Sequence, residues 1–226
     1  MIAMSILVLA ASASLAKPDG TKLRPITQCF AITKDGAAVG ATWQRVTAVR
    51  VGGRAMWDIV IHQKVAAFNF DMRDHFVIDR RDLRPVAFDS MKGGKPHIVL
   101  NYADGRVTGT RTEESGVKPI DMGLEAPVWE GNLWGITFGA LPLAADARFE
   151  LPFYQYDKGL GSFKLEVTGS EDIETPAGKA AAWTVKVGDD PAKSVTYLID
   201  KKTGDELGTR AGAFGTRLGG DCSGLG

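Results

Sequence analysis

Between Phe149 and Asp200 the chain writes four strand-length segments in a row, each alternating apolar and polar residues. In Ser162–Thr168, Phe163, Leu165 and Val167 fall on one side, and Lys164, Glu166 and Thr168 on the other. The pattern recurs as Phe149, Leu151, Phe153, then Ala181, Trp183, Val185, Val187, then Val195, Tyr197, Ile199. Strand side chains alternate with period 2, so each segment turns one face to a core and one to water. Strands buried on both faces of a parallel sheet read instead as unbroken apolar runs, so the class is antiparallel β. The alternation also puts Trp183 on the inner face with Val185 and Val187.

Turn chemistry extends this reading along the chain. Thr42–Val51 and Arg54–Ile61 are separated by Gly52-Gly53, and Ile98–Ala103 and Arg106–Thr112 by Asp104-Gly105. Both dipeptides suit the positive φ of tight two-residue hairpins. Lys201-Lys202-Thr203-Gly204 reads as a turn between Val195–Asp200 and a short strand near Glu206–Arg210. Ala66–Asp79, with Phe68, Phe70 and Met72 on one face, and Leu83–Ser90 supply further strands. Strands at this spacing predict a mainly β, single-domain antiparallel curved sheet, a barrel or half-barrel. The glycine-rich tail, 212–226, is expected to have little regular structure.

One segment departs from the pattern. Pro127–Leu141 places Trp129, Leu133 and Ile136 at helical spacing and ends before Pro142. Gly131, Gly135 and Gly139 disfavour a helix, yet would gather on one stripe and let its backbone approach a sheet closely. A short helix or plug over one mouth of the curved sheet is expected. Together with Glu130, its length excludes a membrane-spanning helix.

Charge and composition narrow the partners. The 226 residues carry 27 basic and 27 acidic side chains, without the basic excess that a nucleic-acid interface requires. Nucleic acid is therefore not expected as a partner. The first 16 residues lack charge, and Ile6–Ala13 followed by Ser14-Leu15-Ala16 reads as a signal peptide cut after Ala16, leaving 17–226 as one β-rich domain. A periplasmic or exported location follows as an expectation. In an oxidising compartment Cys29 and Cys222 can form a disulfide tying the tail to the first strand, two free buried thiols being the alternative.

Catalytic and metal chemistry find little footing. His62, His75 and His97 lack the paired spacing that preorganises a metal site, and two distant cysteines leave too few ligands for zinc. Gly219-Gly220-Asp221-Cys222-Ser223-Gly224 echoes a serine-protease segment, but it ends the chain with nothing left to build a substrate pocket. No phosphate or dinucleotide motif occurs. Neither catalytic residues, nor a metal, nor a cofactor is expected. The aromatic residues remain: Trp43, Trp57 and Trp183 as the wall of an apolar cavity, with Trp129, Trp134 and Phe138 as its lid. Plain core filling is the alternative reading of all six.

Several short stretches resemble the DUF3108 family of bacterial exported proteins of unknown function. They are Leu83-Arg84-Pro85-Val86, the hairpin Tyr102–Val107, Ala140-Leu141-Pro142-Leu143, the turn-bearing Val167–Gly178, and Tyr197–Gly204. The resemblance implies a curved antiparallel sheet, similar to the envelope lipoprotein carriers that shield an acyl chain, and brings no catalytic residues. The expectation is a non-enzymatic envelope protein that binds an apolar or lipid-like ligand. The alternative is an envelope scaffold with a filled core and a protein partner.

Overall fold

The computed structural model describes residues 14, 15, 17–190 and 192–226. The expected signal peptide, 1–16, lies outside the described residues apart from the backbone of Ser14–Leu15. In chain order the strands are β1 (Ser14–Leu15), β2 (Ile26–Lys34), β3 (Ala37–Val51), β4 (Arg54–Val65), β5 (Phe70–Asp79), β6 (Pro85–Lys92), β7 (Lys95–Ala103) and β8 (Arg106–Glu113). They continue as β9 (Gly116–Gly123), β10 (Trp129–Glu130), β11 (Arg148–Gln155), β12 (Gly159–Thr175), β13 (Gly178–Val187), β14 (Val195–Asp200), β15 (Glu206–Ala211) and β16 (Phe214–Leu218). One short helix, α1 (Gly135–Gly139), lies between β10 and β11.

All the strands join one mainly antiparallel sheet in the order β1-β11-β12-β13-β14-β15-β16-β2-β3-β4-β5-β6-β7-β8-β9, with β10 also pairing β11. The sheet curves but does not close, so the half-barrel is the architecture observed. Nearly every step is a hairpin between sequence neighbours. The exceptions are the parallel pairing of β1 with β11 and the antiparallel pairing of β16 with β2, which joins the end of the chain to its beginning.

The concave face holds the core. Trp57 and Ile59 of β4, Phe76 and Ile78 of β5, Phe88 of β6 and Leu100 of β7 form one side. Leu151, Phe163, Leu165, Val167, Val185 and Ile199 form the other. Leu133, Phe138 and Leu141 fill the space between them. Alternation sends Arg148, Glu166, Lys164 and Asp189 outward, where they pair as exposed ion pairs of small energetic weight. Burial of this apolar face therefore drives the sheet to curve around the plug.

The plug is short because its glycines serve the sheet rather than a helix. A Cβ on Gly131 would stand 2.8 Å from the Tyr154 carbonyl oxygen, and one on Gly139 1.9 Å from that of Gly204. One on Gly135 would stand 1.7 Å from Glu206 Oε2. The three glycines thus let the segment lie directly on β11, the β14–β15 turn and β15.

Two expectations are corrected. Ala66–Phe68 is a 3-10 turn, and β5 begins only at Phe70, because Asn69 takes a left-handed conformation that breaks the strand. The tail is also more regular than expected: Phe214–Leu218 is a strand between β15 and β2. Its glycine, a poor strand former, is needed there, since a Cβ on Gly215 would sit 2.5 Å from the Thr209 carbonyl oxygen.

Beyond β16 the tail runs over the convex face. Cys222 is disulfide-bonded to Cys29, with Cα atoms 5.9 Å apart. The tail ends with the Gly226 N–H donating to His62 Nδ1 at 3.3 Å, beside the Trp43 ring. Among the described residues no helix is long and apolar enough to cross a membrane.

The contact between plug and sheet has a direct test in urea denaturation. Gly139→Ala should lower stability by about 2 kcal/mol, within the range for overpacking a tight contact. Gly123→Ala, whose Cβ would meet nothing within 4 Å, should cost less than about 0.5 kcal/mol. Equal midpoints for the two variants would show that the plug does not depend on its glycines.

Candidate functional site

The alternation that builds the core fails at one place, and a cavity results. Around the β16–β2 seam the concave face carries Thr42 and Gln44 of β3, Gln63 of β4, Asp74 of β5, Glu206 and Thr209 of β15, and Thr216 of β16. These residues occupy the same inward rows as Trp57, Ile59 and Phe76, where apolar side chains would otherwise meet. With Phe30, Ile61, Leu133, Trp134, Ile136 and Tyr197 they enclose a cavity of about 330 Å³. Strands from both halves of the sheet form its wall, and the plug segment from Asn132 to Ile136 forms its cover.

Backbone register explains which polar groups meet. Gln28, Gln44, Ile61, Asp74 and Ser90 lie opposite one another across five strands, β2 to β6. Gln44 Nε2 donates to Gln28 Oε1 at 3.1 Å, and Gln28 Nε2 donates to the Glu206 carbonyl oxygen at 3.2 Å. Gln63 Nε2 donates to Thr42 Oγ1 at 3.3 Å. The hydroxyls of Thr209 and Thr216 share a hydrogen bond of 3.1 Å.

A second polar cluster stands behind the cover. Glu130 is 2% exposed, and its carboxylate accepts from the Asn132 backbone N–H at 2.5 Å and from Asn132 Nδ2 at 3.1 Å. Tyr102 donates to the same carboxylate at 3.4 Å, and Gln155 Nε2 donates to Asn132 Oδ1 at 2.8 Å. Asn132 therefore links the buried Glu130 to the cavity it lines.

Burial dominates the acid–base behaviour of this region. It raises Glu206 to about 8. It raises Asp74 to about 6, with Ser90 opposing the shift and Asp89 adding to it. Glu130 rises to about 8, again through burial, although hydrogen bonds from Asn132 pull it down. Burial and then Glu206 drive the Tyr197 hydroxyl well above its ordinary value. A carboxyl in an enclosed space with no cation beside it favours its neutral form.

The aromatic residues read from the sequence are dispersed. Trp134 lines the cavity, its ring 5.6 Å from that of Phe163 and 6.4 Å from that of Tyr197. Phe138 lies behind it in the core, edge-on to Phe163 and Tyr197. Trp57 and Trp129 are core residues whose indole N–H groups donate to the carbonyls of Gly20 and Asp82. Trp183 packs against the edge of the core beneath Lys201, whose Nζ lies 3.9 Å from the ring centroid. Trp43 faces the convex side, paired across the strands with His62 and Cys29. Of the six, Trp134 alone is among the residues that line this cavity.

The histidines stand apart from it. His75 bridges Asp58 at 2.8 Å and Asp89 at 2.7 Å, and His62 bonds Asp71 at 2.9 Å, on the face opposite Phe76 and Ile61. Among the described residues no group of histidine, cysteine and carboxylate side chains could hold a metal ion.

The raised carboxyl values carry a pH dependence of stability. A carboxyl whose value is higher folded than unfolded binds more protons in the folded state between the two values. Stability is then lost as pH rises from about 4.5 to about 8, by about 1.4 kcal/mol per unit of difference. Glu206→Gln removes its share, so the variant should exceed the parent by more than about 1 kcal/mol at pH 8 and match it near pH 5. Urea unfolding at the two pH values reads this, and an equal gap at both would refute it.

The family model of a protein family of unknown function, DUF3108, matches residues 29–214, from within β2 to the first residue of β16. The match takes in the plug and all the strands from β3 to β15. No curated protein and no solved structure matches significantly. A match over more than half of its length, covering nearly the whole curved sheet and the cavity it encloses, places the chain in the DUF3108 family.

Proposed function

We propose that this chain is a non-enzymatic protein of the cell envelope that holds a small amphipathic, lipid-like molecule inside its curved sheet. The observation that carries this reading is the cavity of about 330 Å³ between the seam strands and the plug. Its size falls at the lower end of small-molecule sites, and its wall combines apolar and aromatic side chains with a few convergent polar groups. One side offers Phe30, Ile61, Leu133 and Ile136 to an apolar body, and the other offers amide, hydroxyl and carboxyl groups to a polar end.

Two further features support the reading. The Cys29–Cys222 disulfide suits an oxidising compartment outside the cytoplasm, in keeping with the apolar N-terminal segment. The residues described around the cavity include no histidine, cysteine, serine or lysine, and the Thr209 and Thr216 hydroxyls are bonded to each other. Retention of a molecule is the function such a wall serves best. The scaffold alternative calls for a filled interior, and the seam cavity favours the binding reading over it.

Native mass spectrometry of gently purified protein should show a co-purifying small molecule. Titration with short-chain amphiphiles should change the tryptophan fluorescence, and Trp134→Phe should remove most of that change. Protein that carries no bound molecule and gives no fluorescence response to any amphiphile would end this reading.

A further inference from the structure

The seam cavity is unbalanced in its hydrogen-bonding capacity, and the cause can be followed atom by atom. The Glu206 carbonyl oxygen can only accept, so the Gln28 atom bonded to it is the amide nitrogen. Gln28 Oε1 therefore faces Gln44 and accepts from its nitrogen. Gln44 is 5% exposed, and this relay leaves its Oε1 as an acceptor with no partner among the described residues, on the wall of the cavity. The relay settles both amide orientations, which otherwise would be open to exchange.

The carboxyl groups add to the same excess. The Glu206 side chain rests in a notch that exists because position 135 is glycine, a Cβ there meeting its Oε2 at 1.7 Å. No protein donor bonds its carboxylate among the described residues. Asp74, on the transverse row that also carries Gln44, also lines the cavity, but Ser90 already bonds it. Among the described residues no lysine, arginine or histidine lines the cavity. The basic side chains beside the adjoining opening are already engaged: Lys22 donates to the Leu141 carbonyl oxygen at 3.1 Å, and Arg24 pairs with Asp205.

We propose that the cavity receives a ligand whose polar end is a hydrogen-bond-donating cation, a primary ammonium, held by Glu206 and Gln44 Oε1. The inference rests on the reading of this cavity as a ligand site and adds the charge and chemistry of the ligand's head. Two acceptors that no described donor engages, the Glu206 carboxylate and Gln44 Oε1, can take two of the three N–H donors of an ammonium group. A cation there would supply the compensation that burial of these carboxyls lacks. The rings of Trp134 and Tyr197, both on the wall, add a surface on which a cation is favoured. The raised values of Glu206 and Asp74 record the same missing charge. The apolar remainder of the ligand lies along Ile61, Leu133 and Ile136.

Three probes with one tail and different heads test this: octylamine, 1-octanol and octanoate, titrated into the full chain by calorimetry at pH 7.5. Octylamine should bind at least tenfold more tightly than either of the others. Glu206→Gln should reduce that preference at least tenfold while 1-octanol still binds. Far-UV circular dichroism confirms that the variant is folded. Octanol or octanoate binding as tightly as octylamine would overturn the cationic head and leave the ligand site standing. Binding of none of the three, with no co-purifying molecule, would overturn both.

Discussion

Five paired residues between β16 and β2, from Phe214 opposite Lys34 to Leu218 opposite Phe30, hold the molecule together as one sheet. Every other antiparallel pairing joins strands adjacent in sequence and can form locally. This one joins the two ends of the chain, and its cost in loop closure is correspondingly high. Without it the meander from β2 to β9 and the meander from β11 to β15 would each end in an open edge. The cavity would lose its enclosure as well, since Phe30, Thr42 and Gln44 stand on one side of the seam and Tyr197, Glu206 and Thr209 on the other. The site is therefore a consequence of the one long-range antiparallel pairing, and it exists only in the completed fold.

The plug and the cavity are linked through the same short segment. Gly135 touches Glu206 and Gly139 touches the β14–β15 turn, so the cover is held against the strand that supplies a cavity carboxyl. Asn132, one turn earlier, is bonded to Glu130 and Gln155 and lines the cavity at its other end. A side chain at position 135 would displace the Glu206 carboxyl or lift the cover. Polar groups in such an enclosure stabilise the fold little, because each gives up solvation for incomplete pairing. Stability therefore does not account for their presence in rows otherwise filled by Trp57, Ile59 and Phe76.

Most of the fold was legible in the sequence, because period-2 alternation and two-residue turns are local signals. The Gly52-Gly53 loop shows how much further such a signal reaches. It places Val51 opposite Arg54, and counting back along both strands places Trp43 opposite His62, on the face away from Trp57. Trp43 could thus have been assigned to the convex side, and Thr42 and Gln44 to the inside, from the turn alone. Asp74 shares its parity with Phe76 and Ile78, and a carboxylate in an apolar row was a visible mark of the site. Glu206 was not legible in this way, since a register shift between Leu198 and Ile199 breaks the count from the preceding turn. The seam was hidden for a different reason: nothing local in Phe-Gly-Thr-Arg-Leu names a partner 180 or more residues earlier in the chain.

The disulfide has its clearest meaning against that seam. On β2, alternation turns Gln28 and Phe30 inward, and Cys29 between them faces the convex side. The bond from Cys29 to Cys222 is made four residues beyond the end of β16, after the chain has crossed back over β2. It therefore clamps from outside the strand whose inner face carries the amide relay and the aromatic wall. Closing a loop between residues separated by 193 positions restricts the unfolded chain by about 5 kcal/mol in a chain-entropy description. That restriction offsets the closure entropy that disfavours the β16–β2 pairing most strongly. The same bond is retained only where thiols are oxidised. The compartment that preserves it is then also the one in which the seam, and the cavity enclosed by it, is most fully stabilised.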